Sequence, residues 1–460
     1  MASISLPGLA SGLNSAELIS SLLAIDAQSQ TLIRNKAIVA TTSVSALRGL
    51  NSQVAALGTL ATATAKAGGL DFFSASSNSA AVTATASSGA SNGTIDIVVG
   101  KLAQAQSGVT AAMTAWTGSP SITIVGADGK TTGISPASAS LDDVVTAINA
   151  SAAGVTATKV ASGTDAGGAT QYRLQLSGKE TGAAGSFTVY AGTEADVAAG
   201  TATNVLAQPG AATIRLAQDS SVTLWAGTAA EQVITSKSNT FADLLPGVSV
   251  TVSGVSTTPV TVSVARDTAK TSAAAAKLVS DLNATLAYIS IRTVSTASTD
   301  AEGKPVLSGG AFTGDSTTRD VTKKLLDAAS APVGGRSPSE FGISITKTGT
   351  MEFNAEKFDA AFAKDPVGTQ KVVAEIASRI ATAATNASDK TTGTITTKIT
   401  GEQTTIDQLT KEVAKWDDRL ATRKTNLERY YAAFEVSMGN LNAQMTWLTS
   451  QVDALKASKD

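Results

Sequence analysis

The sequence predicts a multidomain α+β protein whose N- and C-terminal helices pair into a coiled-coil leg, with nested β-rich head domains inserted between them. Three observations carry this. A long heptad occupies the C-terminal end, an amphipathic segment lies near the N-terminus, and the Thr/Ser/Gly-rich middle alternates with a period of two.

In chain order, Asn14 or Ser15 is placed to cap a helix with Leu18, Leu22, Ile25 and Leu32 on one face. The stripe fades over Thr41–Ser45 and resumes at Leu47, Leu50, Val54 and Leu57. From residue 70 the period becomes that of strands. Val82–Thr85 and Thr94–Val99 are separated by the turn signal Ser91-Asn92-Gly93. An α+β module follows: a strand at Ile122–Val125, a turn at Asp128-Gly129, a helix at Leu141–Asn149 started by Ser140, and strands at Val155–Val160, Tyr172–Leu176 and Phe187–Tyr190. Strands return at Thr213–Leu216, Val222–Trp225, Val248–Val252 and Val260–Val264, which makes the module an insertion in a β domain.

Helix resumes over Thr271–Ile291, and another starts near Asp315 or Ser316. Ile343–Ile345 and Met351–Phe353 flank Thr348-Gly349-Thr350 as a hairpin. Asn354 caps a helix with Phe358 and Phe362 that stops at Asp365-Pro366, and a further helix covers Lys371–Ala384. The heptad then runs through Ile406, Leu409, Val413, Trp416, Leu420, Leu427, Tyr430, Phe434, Met438, Leu441, Met445, Leu448, Val452 and Leu455. Over 394–457 such a helix is roughly 90 Å long at about 1.5 Å per residue. Neither terminal helix can bury its apolar face alone, so packing them together brings the two ends of the chain side by side.

The expected domains are therefore 1–42 with 430–460 (terminal leg helices), 43–75 with 268–429 (a helical bundle with a small hairpin), 76–108 with 206–267 (a β-rich head domain) and 109–205 (the inserted α+β head module). An assembly interface is expected on the helical stripe at Leu18, Leu22, Ile25, Leu427, Phe434, Leu441, Met445, Leu448, Val452 and Leu455, because the heptad is longer than one N-terminal helix can cover. Trp416 and Trp447, both in the stripe, are expected to be buried in helix packing.

Composition removes whole classes of function. With 35 basic against 37 acidic residues the chain is no strongly basic nucleic-acid or membrane-surface binder. The absence of Cys and His excludes thiol nucleophiles, Cys/His zinc sites and His-based triads. Gly309-Gly310 and Gly334-Gly335 read as loop punctuation, since neither stands in a strand–loop–helix setting with a following Lys-Ser/Thr. Asp142-Asp143 fits a helix N-terminus, and Asp417-Asp418 a solvated flank. No catalytic, cofactor or metal site is expected. No uniformly apolar segment spans a membrane, and no basic n-region precedes an apolar stretch, so these features alone read as cytoplasmic.

The segment Gly8-Leu9-Ala10-Ser11-Gly12-Leu13-Asn14-Ser15 before an amphipathic helix resembles the opening of the bacterial flagellar filament cap family, also called the hook-associated protein 2 family. The likeness continues at Ala90–Val99 and Leu102-Ala103-Gln104-Ala105-Gln106, at Ser238-Asn239-Thr240 and Leu245-Pro246-Gly247-Val248, at Val264–Thr268, and at Trp447-Leu448-Thr449-Ser450-Gln451. Residues 122–190 are similar to an insertion module of flagellins and their relatives. The chain departs at Leu278–Asn283 and at Ala217–Ser220.

The resemblance implies a non-enzymatic, homo-oligomeric cap of four to six subunits at the distal tip of the flagellum. Such a cap retains exported flagellin and promotes its folding and polymerisation. It also implies secretion through the flagellar export apparatus, with an export chaperone as a further partner, which replaces the cytoplasmic reading. Other readings are a tip adhesin that binds surface glycans, or another axial protein of the flagellin or hook–filament junction type.

Overall fold

The structure is a computed structural model and describes residues 12–117, 120–299 and 303–457. The Gly8–Ser11 part of the opening motif lies outside the described residues. Two compact units are present, Met1–Leu70 with Ser272–Asp460 and, inserted between them in sequence, Asp71–Thr271.

The chain begins with helices α1 (Ser15–Asp26) and α2 (Gln28–Ala65). The inserted unit holds β1 (Phe73–Ser77), β2 (Val82–Ala86), β3 (Gly93–Lys101), β4 (Ser107–Val109), β5 (Ile122–Gly126), β6 (Thr131–Ile134), α3 (Leu141–Ala150), β7 (Val155–Thr164), β8 (Thr170–Gly178) and β9 (Phe187–Ala191). It continues with α4 (Glu194–Ala199), β10 (Thr203–Asn204), β11 (Ala212–Arg215), β12 (Ser220–Leu224), β13 (Gln232–Ser236), β14 (Thr240–Leu245), β15 (Val248–Val252) and β16 (Val260–Arg266). Then come α5 (Thr268–Thr293), β17 (Thr296–Thr299), β18 (Pro305–Ser308), α6 (Ser316–Ser330), β19 (Ile343–Ile345), β20 (Met351–Phe353), α7 (Ala355–Lys364), α8 (Pro366–Ser388) and α9 (Thr394–Ala457).

The helical unit is built around α2 and α8. Val44, Leu47, Leu50, Val54, Leu57 and Ala61 recur at three- and four-residue steps along α2 and are all buried. Facing them, α8 buries Val373, Ile376, Ala377, Ile380 and Ala384. A Cβ on Gly58 would stand 3.2 Å from the Ala384 Cβ, so the two backbones approach closely where both side chains are minimal. The hydroxyl of Tyr288 on α5 occupies the space a Cβ on Gly49 would need and donates to the Ala46 carbonyl at 3.2 Å.

Local chemistry sets the element ends. Asp315 caps α6 through the Thr318 amide (2.8 Å), Asn354 caps α7 through Lys357 (2.9 Å), and Asp365 caps α8 through Gly368 (2.9 Å) with Pro366 in the first turn. Asn283 bonds both backbone groups of Met351, at 2.6 and 2.8 Å, and so acts as a neighbouring strand to β20. Lys398 on α9 reaches Glu402 at 3.0 Å and Asp315 at 3.5 Å; chiefly the Glu402 hydrogen bond raises its pKa above the usual lysine value.

The inserted unit contains two separate cores. The first joins a five-stranded antiparallel sheet, β1-β16-β3-β12-β13, to a three-stranded one, β14-β15-β2, over Ile97, Val99, Val222, Phe241, Val250 and Val262. The second joins sheets β10-β9-β5-β6 and β11-β4-β8-β7 to α3 over Trp116, Ile122, Val144, Ile148, Leu174, Leu176 and Val189. This second sheet system takes in Ser107–Val109 and Ala212–Arg215, so it reaches past residues 109–205 on both sides.

Polar side chains carry the chain from one core to the other. Asn239 accepts from the Ala103 amide at 2.7 Å, and Gln218 donates to the Leu102 carbonyl at 2.9 Å. The buried Gln106 bonds both backbone groups of Phe187, at 2.6 and 3.1 Å. Over Leu102–Gln106 the crossing backbone is satisfied partly by these amide side chains and partly by an isolated bridge in which Gln104 and Gln218 exchange backbone hydrogen bonds at 2.9 and 3.1 Å.

Candidate assembly surface

The terminal helices lie side by side within the helical unit. Asn14 caps α1, its amide oxygen accepting from the Glu17 N–H at 3.2 Å while its amide nitrogen donates to the Glu17 carboxylate at 3.0 Å. The helix breaks at Ala27 and α2 continues. Contacts then run antiparallel to α9: Asp26 pairs with Arg423 at 3.5 Å, Arg34 with Asp417 at 3.1 Å, and Arg48 donates to Gln403 at 3.4 Å. The buried Gln30 amide donates to the Asp417 carboxylate at 2.6 Å and to the Val413 carbonyl at 3.3 Å. Exposed ion pairs of this kind are worth only about 0–1 kcal/mol each, so they set register more than stability.

Along this pairing the heptad is half-covered: Ile406, Leu409, Val413, Trp416 and Leu420 are all half-buried against α2. Toward the other end α1 and α9 leave a groove of about 630 Å³, lined by Ser15, Ile19, Leu23, Glu428, Tyr431 and Glu435 among others. Past it, Leu441, Met445, Trp447, Leu448 and Val452 all lie exposed. From Phe434 to Val452 the stripe, half-buried at Met438 and exposed elsewhere, runs about 27 Å along α9 at about 1.5 Å per residue.

Several expected contacts fall elsewhere. Leu18 and Ile25 on α1 point to solvent, Leu22 is half-buried, and the face turned inward carries Ser15 and Ile19. Ser15, Ile19 and Leu23 follow one another at four-residue steps, so they form the row that α1 turns to α9, and Leu18 and Ile25 fall on the flank beside it. On α9 the inward register moves to Tyr431 and Glu435, leaving Tyr430 and Phe434 outside, while Leu427 is half-buried. Trp447 is 63% exposed rather than buried in helix packing, since no described helix reaches that far along α9. The side chain of Leu455 lies outside those described.

Two further exposed features stand apart from the stripe: Trp225, which the sequence leaves open as core or surface, and a strand pair that the sequence does not place. Trp225, at the β12 end, is 48% exposed and adopts φ +51°, a backbone conformation uncommon for a bulky residue. The β17–β18 hairpin carries Leu307 at 79% exposure. Its signal was present in the Thr-Ala-Ser-Thr alternation and in Gly303, a residue suited to a turn. Among the described residues no group of three or more His, Cys, Asp or Glu is placed to hold a metal, and no helix is long and apolar enough to cross a membrane.

Comparison with known proteins places this geometry. The profile of the flagellar hook-associated protein 2 N-terminus matches residues 11–106, and that of its C-terminus matches 217–443. The chain belongs to the flagellar hook-associated protein 2 family. Flagellar hook-associated protein 2 of Escherichia coli O157:H7 is 29% identical over the full length of both chains, and that of strain K12 is 28% identical, also over both full lengths. The crystal structure of the flagellar cap protein FliD D1-D2-D3 domains from Escherichia coli aligns with a TM-score of 0.60 at 27% identity, covering 78% of this chain and 99% of that one. Between the two terminal matches, residues 121–180 match the flagellin hook IN motif, the region of α3 and the sheets around it. Both end matches are to hook-associated protein 2, which disfavours the readings as a flagellin, a junction protein or an adhesin.

Proposed function

We propose that this chain caps the distal end of the flagellar filament as a homo-oligomer, retaining exported flagellin and promoting its folding and polymerisation. The observation that carries the reading, given the family, is the uncovered apolar stripe at Phe434, Leu441, Met445, Leu448 and Val452 on α9. A stripe at heptad spacing fits another amphipathic helix, and flagellin supplies such helices in this proposal. Leu18, Ile25 and Leu427 extend the same contact surface. With little of the chain packed against it, the end of α9 opens at low free energy, so its contacts can exchange as the cap advances.

The proposed division of labour follows. Residues 1–42 with 430–460 serve as legs on the filament, 43–75 with 268–429 as the supporting bundle, and 76–108 with 206–267 together with 109–205 as the head over the channel exit. The protein acts outside the cell at the flagellar tip, without catalysis. It travels through the flagellar export apparatus with a chaperone and assembles in four to six copies.

The test uses a strain lacking the gene, scored for flagellin in the medium and for filament length. Added wild-type protein is expected to restore long filaments. The double variant Leu448→Asp/Val452→Asp is expected to leave monomeric flagellin in the medium; both side chains are exposed, so its fold is unaffected. Normal filaments without any added protein would overturn capping, and normal filaments with the double variant would overturn the role of the stripe.

A further inference from the structure

Two strands of the inserted unit end their sheets with no described strand beyond them. β13 closes one side of the five-stranded sheet, and β11 closes one side of the β11-β4-β8-β7 sheet. Every residue of β11 is exposed, Ile214 at 63%, and Val233 on β13 is 58% exposed. A free edge presents a row of unpaired N–H and C=O groups on which another strand can form. Elsewhere in the unit edges are shielded. A Cβ on Gly133 of β6 would stand 3.3 Å from the Glu194 side chain of α4, and a bulge between Ala242 and Leu245 bends β14. β13 has no proline, no charged residue and no bulge against β12.

The start of β13 adjoins an aromatic side chain on a fixed turn. Trp225 follows the Leu224↔Gln232 pair, and its carbonyl accepts from the Thr228 N–H at 3.1 Å and from the Thr228 hydroxyl at 2.8 Å. In the same turn the Glu231 carboxylate accepts from the Gly227 N–H at 2.8 Å. These bonds hold the φ +51° conformation of Trp225, so an exposed indole is presented with little backbone freedom left to lose on binding. Glu231 stands exposed before β13, and Arg215 stands exposed at the end of β11. Two bare edges and a pair of opposite charges thus occur on one chain, so a second copy supplies the complement of each.

We propose that β13 of one copy pairs antiparallel, edge to edge, with β11 of a second copy. With Thr213 opposite Val233, Ala212 falls opposite Ile234. Arg215, beyond the irregularity in β11 that follows Thr213, then reaches the Glu231 and Trp225 end, where its guanidinium meets a carboxylate and an indole. Both edges gain backbone hydrogen bonds, and Ile214 and Val233 lose exposed surface. The two edges belong to different sheets, so the contact is heterologous: each copy offers β13 to one neighbour and β11 to the other, an arrangement that forms a ring when the rotation closes. The inference rests on the oligomeric cap reading and names for it a specific contact within the inserted unit.

The chain has no cysteine, so introduced thiols are the only ones present. Full-length Thr213→Cys and Val233→Cys proteins are mixed and mildly oxidised. Both positions are exposed, so neither change costs the fold. Opposed residues on paired strands have Cα atoms about 5 Å apart, inside the roughly 7 Å that a disulfide needs. The expected result is a covalent mixed dimer well above the homodimer of either protein. Homodimers that equal or exceed it would pair like edges and overturn the proposal. So would the absence of a mixed dimer, whether light scattering shows the mixture to be oligomeric or monomeric. Val233→Lys puts a charge on the β13 edge and is expected to weaken self-association about tenfold or more with unchanged thermal unfolding; unchanged association would count against the contact. Should both cysteine proteins restore filaments in the deletion strain yet give no mixed dimer, this contact falls and the cap reading stands.

Discussion

Replacing Leu50 by Ala removes a side chain that is fully buried in the middle of the α2 stripe. The loss combines the transfer term for the deleted groups with a cavity the neighbouring helices cannot fully close, about 3 kcal/mol for a site of this burial. The perturbation belongs to the helical unit, Met1–Leu70 with Ser272–Asp460, whereas the inserted unit has cores of its own. The tryptophans separate the two. Trp116 is buried in the core around α3, while Trp416 and Trp447 lie on α9. In a background with Trp225, Trp416 and Trp447 changed to Phe, fluorescence reports the inserted unit and the far-ultraviolet helix signal is dominated by the helical one. With an m-value of about 3 kcal/mol/M in urea, Leu50→Ala should move the helix transition down by about 1 M. The Trp116 transition should stay in place. A Trp116 transition that moves by the same amount would refute the separation of the cores. A helix transition that does not move would refute the assignment of Leu50 to a close-packed interior.

Other expectations follow from single contacts. Gln106→Ala strips the partner from both backbone groups of Phe187 in a buried setting, and should destabilise the inserted unit by about 2–4 kcal/mol, read from the Trp116 unfolding midpoint. Gly247 has φ +72°, and a Cβ there would stand 2.8 Å from the Ala90 amide nitrogen. Gly247→Ala should therefore lower the melting temperature of the same unit, despite the entropic gain a glycine replacement brings elsewhere. The Asp389 carboxylate accepts from the Thr392 and Thr391 amides at 2.7 and 2.9 Å and from the Thr392 hydroxyl, which holds its pKa below the ordinary carboxylate value. A depressed folded pKa means that its contribution at the α8–α9 corner is complete above about pH 4 and is lost as the pH falls through the lowered value. Thermal unfolding followed from about pH 5 to about pH 2 should show a shallower acid loss in Asp389→Asn than in the wild type.

Much of the architecture is legible in local pattern. Helix starts at Asn14, Asp315 and Asn354 and the stop at Asp365-Pro366 depend on side-chain-to-backbone bonds within a few residues, and they stand where the pattern puts them. The Leu47–Leu57 stripe is buried because a helix with one apolar face has only one way to shed it. The strand pairings are less legible. β2 and β3 are neighbours in sequence yet enter different sheets, and β4 and β11 join the sheet of the inserted module, because hydrogen-bond partners in a sheet are chosen across the whole unit. The hydroxyl-rich alternation that hid β13 and the β17–β18 hairpin is as compatible with loops as with strands.

The expected assembly surface divides in the same way. Apolar residues at Leu18, Ile25, Phe434, Leu441 and Leu448 were visible as stripes from their spacing alone. Their exposure was not, since it depends on which flank of each helix its partner meets. The sequence by itself determined that both ends of this chain are amphipathic helices, that the middle is β-rich, and that Cys- and His-based chemistry is closed to it; periodicity and residue type suffice for each. Only the tertiary structure decided that Ser15 and Ile19 face α9 in place of Leu18, that the stripe stays open beyond Phe434, and that β11 and β13 end their sheets as free edges. Those outcomes depend on where one element ends against another, a property of packing that no single segment encodes.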